Sequence, residues 1–354
     1  MSWSKILGHE RQIDSFRDIV ARGRLAHAYL FIGPPGVGKR RFACELAKAL
    51  LCETGTPGDR PLAACDKCDG CKLVDAATHP DLFFAAMPEE KNEFPIEVMR
   101  DLCRNFGFKS ARGHGKVGII DDADDFNEES ANCFLKTLEE PPPGSLLILI
   151  GTSLDLQMET IKSRCQIVRF APLADEHVRT LLQQQDVSDP VMLDRLTRLA
   201  AGSPGTALDL ADESLWKFRR DMIQMMTQPR FDSVALGKSL VAFVEDAGKE
   251  SVTQRRRANQ TLTLLIASLS DALRLQSGGS ARSAEAAELP LLASLAQRVQ
   301  PDKILAMLER CLETEWHLGR YVQISLVLEG LADAFVPLLD PKTAVPLRYE
   351  GFSV

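Results

Sequence analysis

The fold of this chain is decided by the stretch Ala28-Tyr29-Leu30-Phe31-Ile32-Gly33-Pro34-Pro35-Gly36-Val37-Gly38-Lys39. Five apolar residues predict a short buried strand, a loop rich in Gly and Pro follows, and apolar residues return at helical spacing after Lys39. Gly-x-x-x-x-Gly-Lys between a strand and a helix is typical of a phosphate-binding loop. The glycines let backbone N–H groups turn inward, the helix N-terminus adds its dipole, and Lys39 adds a positive charge. The alternative is a glycine-rich turn that only joins the two elements.

Further strand patterns occur on the carboxyl side of this loop. They cover Leu82 to Ala86, Val117 to Asp121, Leu146 to Ile150 and Gln166 to Phe170. Helical stretches such as Ser130 to Glu140 separate them. Because strands that alternate with helices form parallel sheets, the sequence predicts an α/β domain with a mostly parallel sheet.

The strand patterns end after Pro172, and only helical patterns follow. A chain of 354 residues exceeds what one hydrophobic core usually supports. We therefore expect three domains: an α/β domain at 1–172, a small helical lid at 173–212 and an all-helical domain at 213–354.

Composition and charge narrow the class of protein. Hydrophobic residues make up 45% and charged residues 26%, which is ordinary for a folded globular protein. No apolar run approaches the roughly 20 residues that cross a bilayer, and the N-terminus has no signal-like segment, so we expect a cytoplasmic protein without a membrane partner. A net charge of -7 argues against a chain that coats nucleic acid. Basic pairs such as Arg219-Arg220 are interpreted as solvated helix faces, and contact with DNA or another subunit is the alternative.

The residues around the phosphate-binding loop are incomplete for Mg²⁺-dependent hydrolysis. Arg40 stands where the motif places a Ser or Thr hydroxyl on the metal, and a guanidinium offers no acceptor. Asp121, at the end of a predicted strand, is a candidate Mg²⁺ ligand, and Asp122 stands where related ATPases usually carry a Glu. An acidic helix start after a strand is the alternative for this pair. The sequence therefore leaves the binding of ATP or ADP open, and we do not expect the chain to hydrolyse ATP by itself.

A cysteine cluster interrupts the α/β pattern at about 52–71. Cys52, Cys65, Cys68 and Cys71 offer the four thiolates that a closed structural Zn²⁺ site requires. Two-residue spacings let backbone turns aim neighbouring sulfurs at one ion. A redox-active pair, unconnected thiols or an iron–sulfur cluster are the alternatives. We expect structural zinc.

Several stretches together resemble the clamp-loader branch of the AAA+ ATPases. They are the Pro-rich phosphate loop, the cysteine insertion after its helix, Phe134-Leu135-Lys136-Thr137-Leu138-Glu139-Glu140-Pro141-Pro142 and Thr160-Ile161-Lys162-Ser163-Arg164-Cys165-Gln166. Ser-Arg-Cys is the most specific marker. The resemblance covers about Leu7 to Leu210, and the helical remainder is consistent with the family's oligomerising collar.

The resemblance implies roles for individual residues. Arg164 is implied to be an arginine finger that reaches the ATP bound to a neighbouring subunit, and a surface Arg paired with an acidic neighbour is the alternative. Thr152 stands at the family's sensor-1 position. Active subunits carry a second sensing Arg in a Gly-Ser-x-Arg segment, whereas this chain reads Gly202-Ser203-Pro204-Gly205. Because of this departure, together with Arg40 and Asp122, the chain resembles the delta-prime type of subunit more than the gamma/tau motor type.

The resemblance therefore implies a largely non-hydrolysing component of the DNA polymerase III holoenzyme. Its implied partners are gamma/tau and delta subunits, the sliding clamp and, within the complex, primer–template DNA. Two other functions stay open. In the first, the chain is a working ATPase of the gamma/tau kind, which Lys39 and Asp121 favour. In the second, it is a zinc-bearing interaction protein that has kept an ATPase fold.

Overall fold

A computed structural model describes residues 2–54, 61–88, 94–320 and 322–340 of the chain. These residues fall into two compact units. The first contains residues up to 186 together with 200–206, and the second contains 187–199 together with 207–340. The division into domains at 172 and 212 stays a prediction. The described part of the chain has no helix that is both long enough and apolar enough to span a bilayer.

The first unit contains a five-stranded sheet. Its strands are β1 (Ala28–Ile32), β2 (Leu82–Ala85), β3 (Lys116–Ile120), β4 (Ser145–Gly151) and β5 (Gln166–Arg169). The order across the sheet is β2-β3-β4-β1-β5, and every pairing is parallel. The predicted α/β class with a parallel sheet is confirmed, and each predicted strand lies within about a residue of its observed position.

Helices connect the strands and form the rest of the described structure. In chain order they are α1 (Glu10–Ala21), α2 (Lys39–Leu50), α3 (Asp69–Asp75), α4 (Ile96–Phe106), α5 (Glu128–Glu139), α6 (Glu159–Lys162), α7 (Asp175–Gln183), α8 (Pro190–Leu199), α9 (Pro204–Asp209), α10 (Glu213–Thr227), α11 (Ser233–Glu245), α12 (Ser251–Gln276), α13 (Leu289–Arg298), α14 (Pro301–Gly319), α15 (Ile324–Ala334) and α16 (Val336–Leu339). Short 3₁₀ helices cover Ser2–Lys5 and Ala123–Asp125.

The central strands are apolar throughout because helices cover both faces of the sheet. All five residues of β1 are buried, and so are Leu146 to Gly151 of β4. On one face, Phe31 packs among Phe16 of α1, Phe42 of α2 and Phe170, with ring centroids 5.0 to 6.0 Å apart. This packing holds the start of α2 against the end of β1, where the phosphate-binding loop lies.

The second unit is entirely helical where it is described. Its core is formed by apolar side chains from α10 to α16, such as Met222, Leu240, Leu265, Met307 and Leu328. These side chains recur at helical spacing along each helix, so that each helix buries one stripe. The predicted helical C-terminal part of the chain is confirmed.

A buried ionic network ties helices of the second unit together. Arg219 of α10 is fully buried, and its Nη2 lies 3.7 Å from Asp271 Oδ2 and 3.9 Å from Glu288 Oε2. Arg219 also donates to Ser268 Oγ and to Ser283 O and Oγ. The interpretation of Arg219 as part of a solvated face is therefore wrong. A helical pattern shows a basic residue but does not show the acidic residues that come from distant elements.

Candidate functional site

A cavity of about 310 Å³ lies beyond the carboxyl ends of β1, β3 and β4. Its lining contains most of the residues that the sequence predicts for a nucleotide site, namely Gly36, Gly38, Lys39, Asp121, Asp122 and Thr152, and also Pro35, Arg40, Asp124, Ile150 and Gly151. The carboxyl edge of a parallel sheet is where ligands of α/β proteins bind. The tertiary structure thus brings the predicted residues together around one cavity.

The phosphate-binding loop adopts a conformation that needs glycine. Gly36 has φ +72° and Gly38 has φ +101°, and both values lie in the left-handed region. Lys39 begins α2, and its Nζ donates hydrogen bonds to Gly33 O at 2.5 Å and to Pro34 O at 2.7 Å. Burial lowers the pKa of Lys39, while the carboxylates of Asp124 and Asp121 raise it. The ammonium group is therefore held by carbonyl groups of the loop itself.

The acidic side of the cavity is also engaged with groups of the chain. Arg40 Nη1 lies 3.5 Å from Asp121 Oδ2, the carboxylate that the sequence predicts as a Mg²⁺ ligand. Asp124, which the sequence analysis did not single out, accepts a hydrogen bond from Thr152 N at 2.7 Å. Three aspartates and two cations therefore line this cavity.

Asp122 has an unusual backbone and a shifted pKa. Its φ is +55°, a left-handed conformation that Asp tolerates better than most residues. Partial burial of the carboxyl group, with the charges of Asp121 and Asp125, raises the pKa of Asp122 to about 6, although the residue as a whole is exposed. A carboxyl group with this pKa is partly protonated near neutral pH, which weakens it as a metal ligand.

The turn at 202–206 packs directly on the phosphate-binding loop. Gly205 N donates to Gly36 O at 3.0 Å, and Ser203 Oγ donates to Pro35 O at 2.8 Å. A Cβ atom on Gly205 would lie 2.7 Å from Gly36 Cα, closer than such atoms approach. Gly205 stands where the resemblance places a sensing Arg in active subunits. The backbone here leaves no room for any side chain at that position.

The four predicted cysteines converge at a second location in the first unit. Their sulfur atoms lie within 4.8 Å of one another, and the pairs Cys52–Cys68 and Cys65–Cys71 are each 3.9 Å apart. Four thiolates about 2.3 Å from a tetrahedral zinc ion are about 3.8 Å apart, so the residues present fit a metal ion. Residues 55–60, which belong to the same segment, lie outside the described residues.

Backbone N–H groups point at the sulfurs. Cys68 N and Lys67 N approach Cys65 Sγ at 3.3 and 3.5 Å, and these hydrogen bonds lower the pKa of Cys65 to about 6. Cys71 N approaches Cys68 Sγ at 3.4 Å. Such donors favour the thiolate form, which is the form that binds metal. Burial raises the pKa of the Cys71 thiol, so its deprotonation needs the cation.

Arg164 lies at the opposite edge of the sheet. It precedes β5 by two residues, whereas the cavity lies beyond the carboxyl ends of parallel strands. The four residues of β5 span about 13 Å at about 3.3 Å each. Its guanidinium donates from Nε and Nη2 to Glu139 Oε1, at 2.9 and 2.5 Å. Arg164 is therefore paired with an acidic neighbour, which is the pairing that the alternative interpretation expects, and it does not line the chain's own cavity.

Comparisons with known proteins agree with this architecture. Residues 8–174 match the family described as "DNA polymerase III, delta subunit", and residues 215–332 match "DNA polymerase III, delta subunit, C terminal". The DNA polymerase III subunit delta' of Escherichia coli strain K12 is 30% identical over 289 residues, which are 81% of this chain and 81% of the relative. The chain belongs to the DNA polymerase III delta' subunit family.

Two further relatives show that this delta' family member is similar both to another delta' subunit and to a tau subunit. The subunit delta' of Pseudomonas aeruginosa is 35% identical over 57% of this chain and 61% of the relative. The subunit tau of Salmonella typhimurium is 33% identical over 71% of this chain but only 39% of the relative. The predicted family, a clamp-loader subunit on an AAA+ fold, is confirmed.

Some residues act through contacts that no local sequence pattern shows. Glu139 lies in one of the stretches that resemble the family, but nothing in that stretch pairs it with Arg164. The buried Nζ of Lys48 lies 2.6 Å from Asp66 Oδ1 and 2.7 Å from Asp75 Oδ2 and so ties the cysteine segment to α2. In the sequence, Lys48 is visible only as a Lys among the apolar residues Ala47, Ala49 and Leu50.

Proposed function

We propose that this delta' family member is a largely non-hydrolysing clamp-loader subunit that supplies Arg164 to the ATP site of an adjacent gamma/tau subunit. The position of Arg164 carries the proposal. It stands at the amino edge of the sheet, where it cannot reach a nucleotide in the chain's own cavity at the carboxyl edge. An arginine at that edge is available to a neighbouring protein, as a trans finger must be.

The chain's own cavity supports the non-hydrolysing part of the proposal. Lys39 bonds carbonyl groups of its own loop, and Arg40 contacts the carboxylate of Asp121 that would hold Mg²⁺. Gly205, packed on Gly36, leaves no side chain to sense a γ-phosphate. In the rival function the purified chain hydrolyses ATP by itself and loses this activity in Lys39→Ala. That result would replace the present proposal.

The proposed setting is the loading of a sliding clamp onto primer–template DNA in the cytoplasm. The chain would assemble there with gamma/tau and delta subunits. The support is its membership of the delta' family and its similarity to tau. A third function, a zinc-bearing interaction protein outside replication, predicts that no stable complex with these subunits forms.

The experiment that tests the proposal replaces Arg164 in the reconstituted loader. Arg164→Ala should lower ATP turnover at the site that it serves by about 10³-fold or more, and Arg164→Lys should not restore it because a guanidinium fork is lost. Single-turnover ATP hydrolysis on primed DNA measures this. Arg22→Ala is the control, since Arg22 is exposed and pairs with Asp18 at 3.3 Å. Unchanged turnover in Arg164→Ala would remove the finger assignment.

The cysteine cluster extends the proposal to a cofactor. Cys52, Cys65, Cys68 and Cys71 would hold one structural Zn²⁺ ion, with all four positions filled by the chain. Four thiolates leave no open position for substrate, so the ion would stabilise the segment and take no part in catalysis. The convergence of the sulfurs and the N–H groups aimed at them support this assignment.

A further inference from the structure

The guanidinium group of Arg164 is almost fully occupied by its own chain. Nε and Nη2 both donate to Glu139 Oε1, and Nη1 donates to Thr160 O at 2.9 Å and to Ser163 Oγ at 3.1 Å. A guanidinium has five N–H donors, so these contacts leave one of them, on Nη2. The edge formed by Nε and Nη2, which is suited to a bidentate anion, faces the carboxylate of Glu139.

We propose that Glu139 is a positioning residue that occupies the anion-binding edge of Arg164 until a neighbour's triphosphate displaces it. The inference rests on the proposed finger role of Arg164. A carboxylate and a γ-phosphate use the same planar edge of a guanidinium. Arg164 cannot give that edge to both anions at once, so its engagement with ATP requires the Glu139 contact to break.

The position of Glu139 makes this contact easy to break. Glu139 is the last residue of α5, where the negative end of the helix dipole disfavours a carboxylate. Its side chain is 50% exposed, and that of Arg164 is 33% exposed. Ion pairs this accessible to water are weak, whereas a triphosphate carries a higher charge and meets the guanidinium in a desolvated interface.

The Nη1 contacts have a different consequence. Thr160 O belongs to α6 and Ser163 Oγ to the residue that follows it, so these contacts hold the Nη1 side of the guanidinium to the α6 segment. They do not involve the Nε and Nη2 edge. Release of Glu139 therefore frees the anion-binding edge while the Nη1 side stays anchored, and the finger remains oriented.

The test is Glu139→Gln in the reconstituted loader with ATP. The Glu139 contact would break when ATP binds and stay broken in the transition state. Its loss should therefore strengthen the binding of ATP equally in the ground state and in the transition state. We expect the KM for ATP to fall about two- to fivefold, while kcat changes less than about twofold. Glu140→Gln is the matched control, since Glu140 is the exposed neighbour at the same helix end, and it should leave both constants unchanged.

A double variant separates competition from a structural role. Glu139→Gln combined with Arg164→Ala should behave as Arg164→Ala alone, because without the guanidinium there is nothing to release. An unchanged KM, or a lower kcat in Glu139→Gln, would overturn the inference while the finger stands. If Arg164→Ala itself leaves turnover unchanged, the proposed function fails and the inference fails with it.

Discussion

Three arginines of this chain show how burial decides what an ion pair does. Arg40 is 62% exposed and neutralises Asp121 in the cavity, and Arg164 is partly exposed and holds Glu139. Arg219 is fully buried. An exposed pair is weak and can exchange partners, whereas a buried pair is permanent because an unpaired charge there is costly. Arg219 is thus structural, while the exposed pairs are suited to functional roles.

The buried network predicts a large loss of stability when one partner is removed. Arg219→Met would remove the fully buried guanidinium that faces both Asp271 and Glu288, together with its hydrogen bonds to Ser268 and Ser283. Arg274 and Arg195 would remain beside the two carboxylates. We expect the free energy of unfolding to fall by about 3–5 kcal/mol, measured by urea denaturation. Burial lowers the pKa of Arg219, and the carboxylates of Glu288 and Asp271 oppose that effect, so the charged form of Arg219 depends on these acidic side chains.

Arg220 provides the matched control for this prediction. Its side chain is 45% exposed and pairs with Glu285 at 3.2 Å. Arg220→Met should change the free energy of unfolding by less than about 0.5 kcal/mol. Equal effects of the two variants would show that the buried network adds no stability beyond a surface pair.

At the scale of elements, the turn at 202–206 packs directly against the phosphate-binding loop. Hydrogen bonds join Ser203 to Pro35 and Gly205 to Gly36, and glycine at both contact points allows the two backbones to touch. In this chain the loop therefore serves as a docking surface for the turn. A loop that is used in this way needs its glycines for packing as well as for any ligand that it binds.

Two glycine variants test this packing. Gly205→Ala should lower the free energy of unfolding by about 1–3 kcal/mol, because a Cβ atom there would lie 2.7 Å from Gly36 Cα. Gly330→Ala in α15 should instead raise it by about 0.5–1 kcal/mol, since nothing lies within 4 Å of that position and Ala favours helix. Thermal unfolding compares them. An unchanged free energy of unfolding in Gly205→Ala would contradict the close approach of Gly205 to Gly36.

At the scale of the whole molecule, the sheet separates the cavity from Arg164. Its carboxyl edge carries the cavity, and its amino edge carries Arg164. The cysteine segment is fastened to the same unit: Trp3 Nε1 donates to Leu62 O at 2.6 Å, and Arg112 Nε lies 2.5 Å from Glu53 Oε1. These attachments lead us to expect that metal binding stabilises the first unit and not only the segment.

Metal removal tests that expectation. Metal analysis of the purified chain should find one zinc ion, and Cys65→Ser should reduce this content, whereas Cys44→Ser, outside the cluster, should not. Chelation should lower the hydrogen-exchange protection of residues 62–75 and of α2, because the site is held together by the ion. Helices of the second unit should keep their protection. Iron in place of zinc, or no metal, would contradict the assignment.

Features that depend on local pattern could be predicted from the sequence. The three central strands β1, β3 and β4 can be predicted because helices cover both faces of the sheet, which makes these strands buried apolar runs. The edge strand β5 is mostly exposed and gives a weaker pattern. The phosphate-binding loop and the cysteine ligands were found because their chemistry needs fixed residue types at short spacings. The prediction that Arg219 lies on a solvated helix face is wrong, because the sequence of a helix does not show which residues of distant elements surround a basic side chain.

The sequence by itself determined the class of fold, the loop that begins α2 and the four cysteines, since each depends on residues close together in the chain. Only the tertiary structure decided what the loop and Arg164 contact. Ser203 and Pro35 are 168 residues apart, and Arg164 and Glu139 are 25 apart. Such pairs form because the packing of helices and strands brings distant segments together, and no local period encodes that packing.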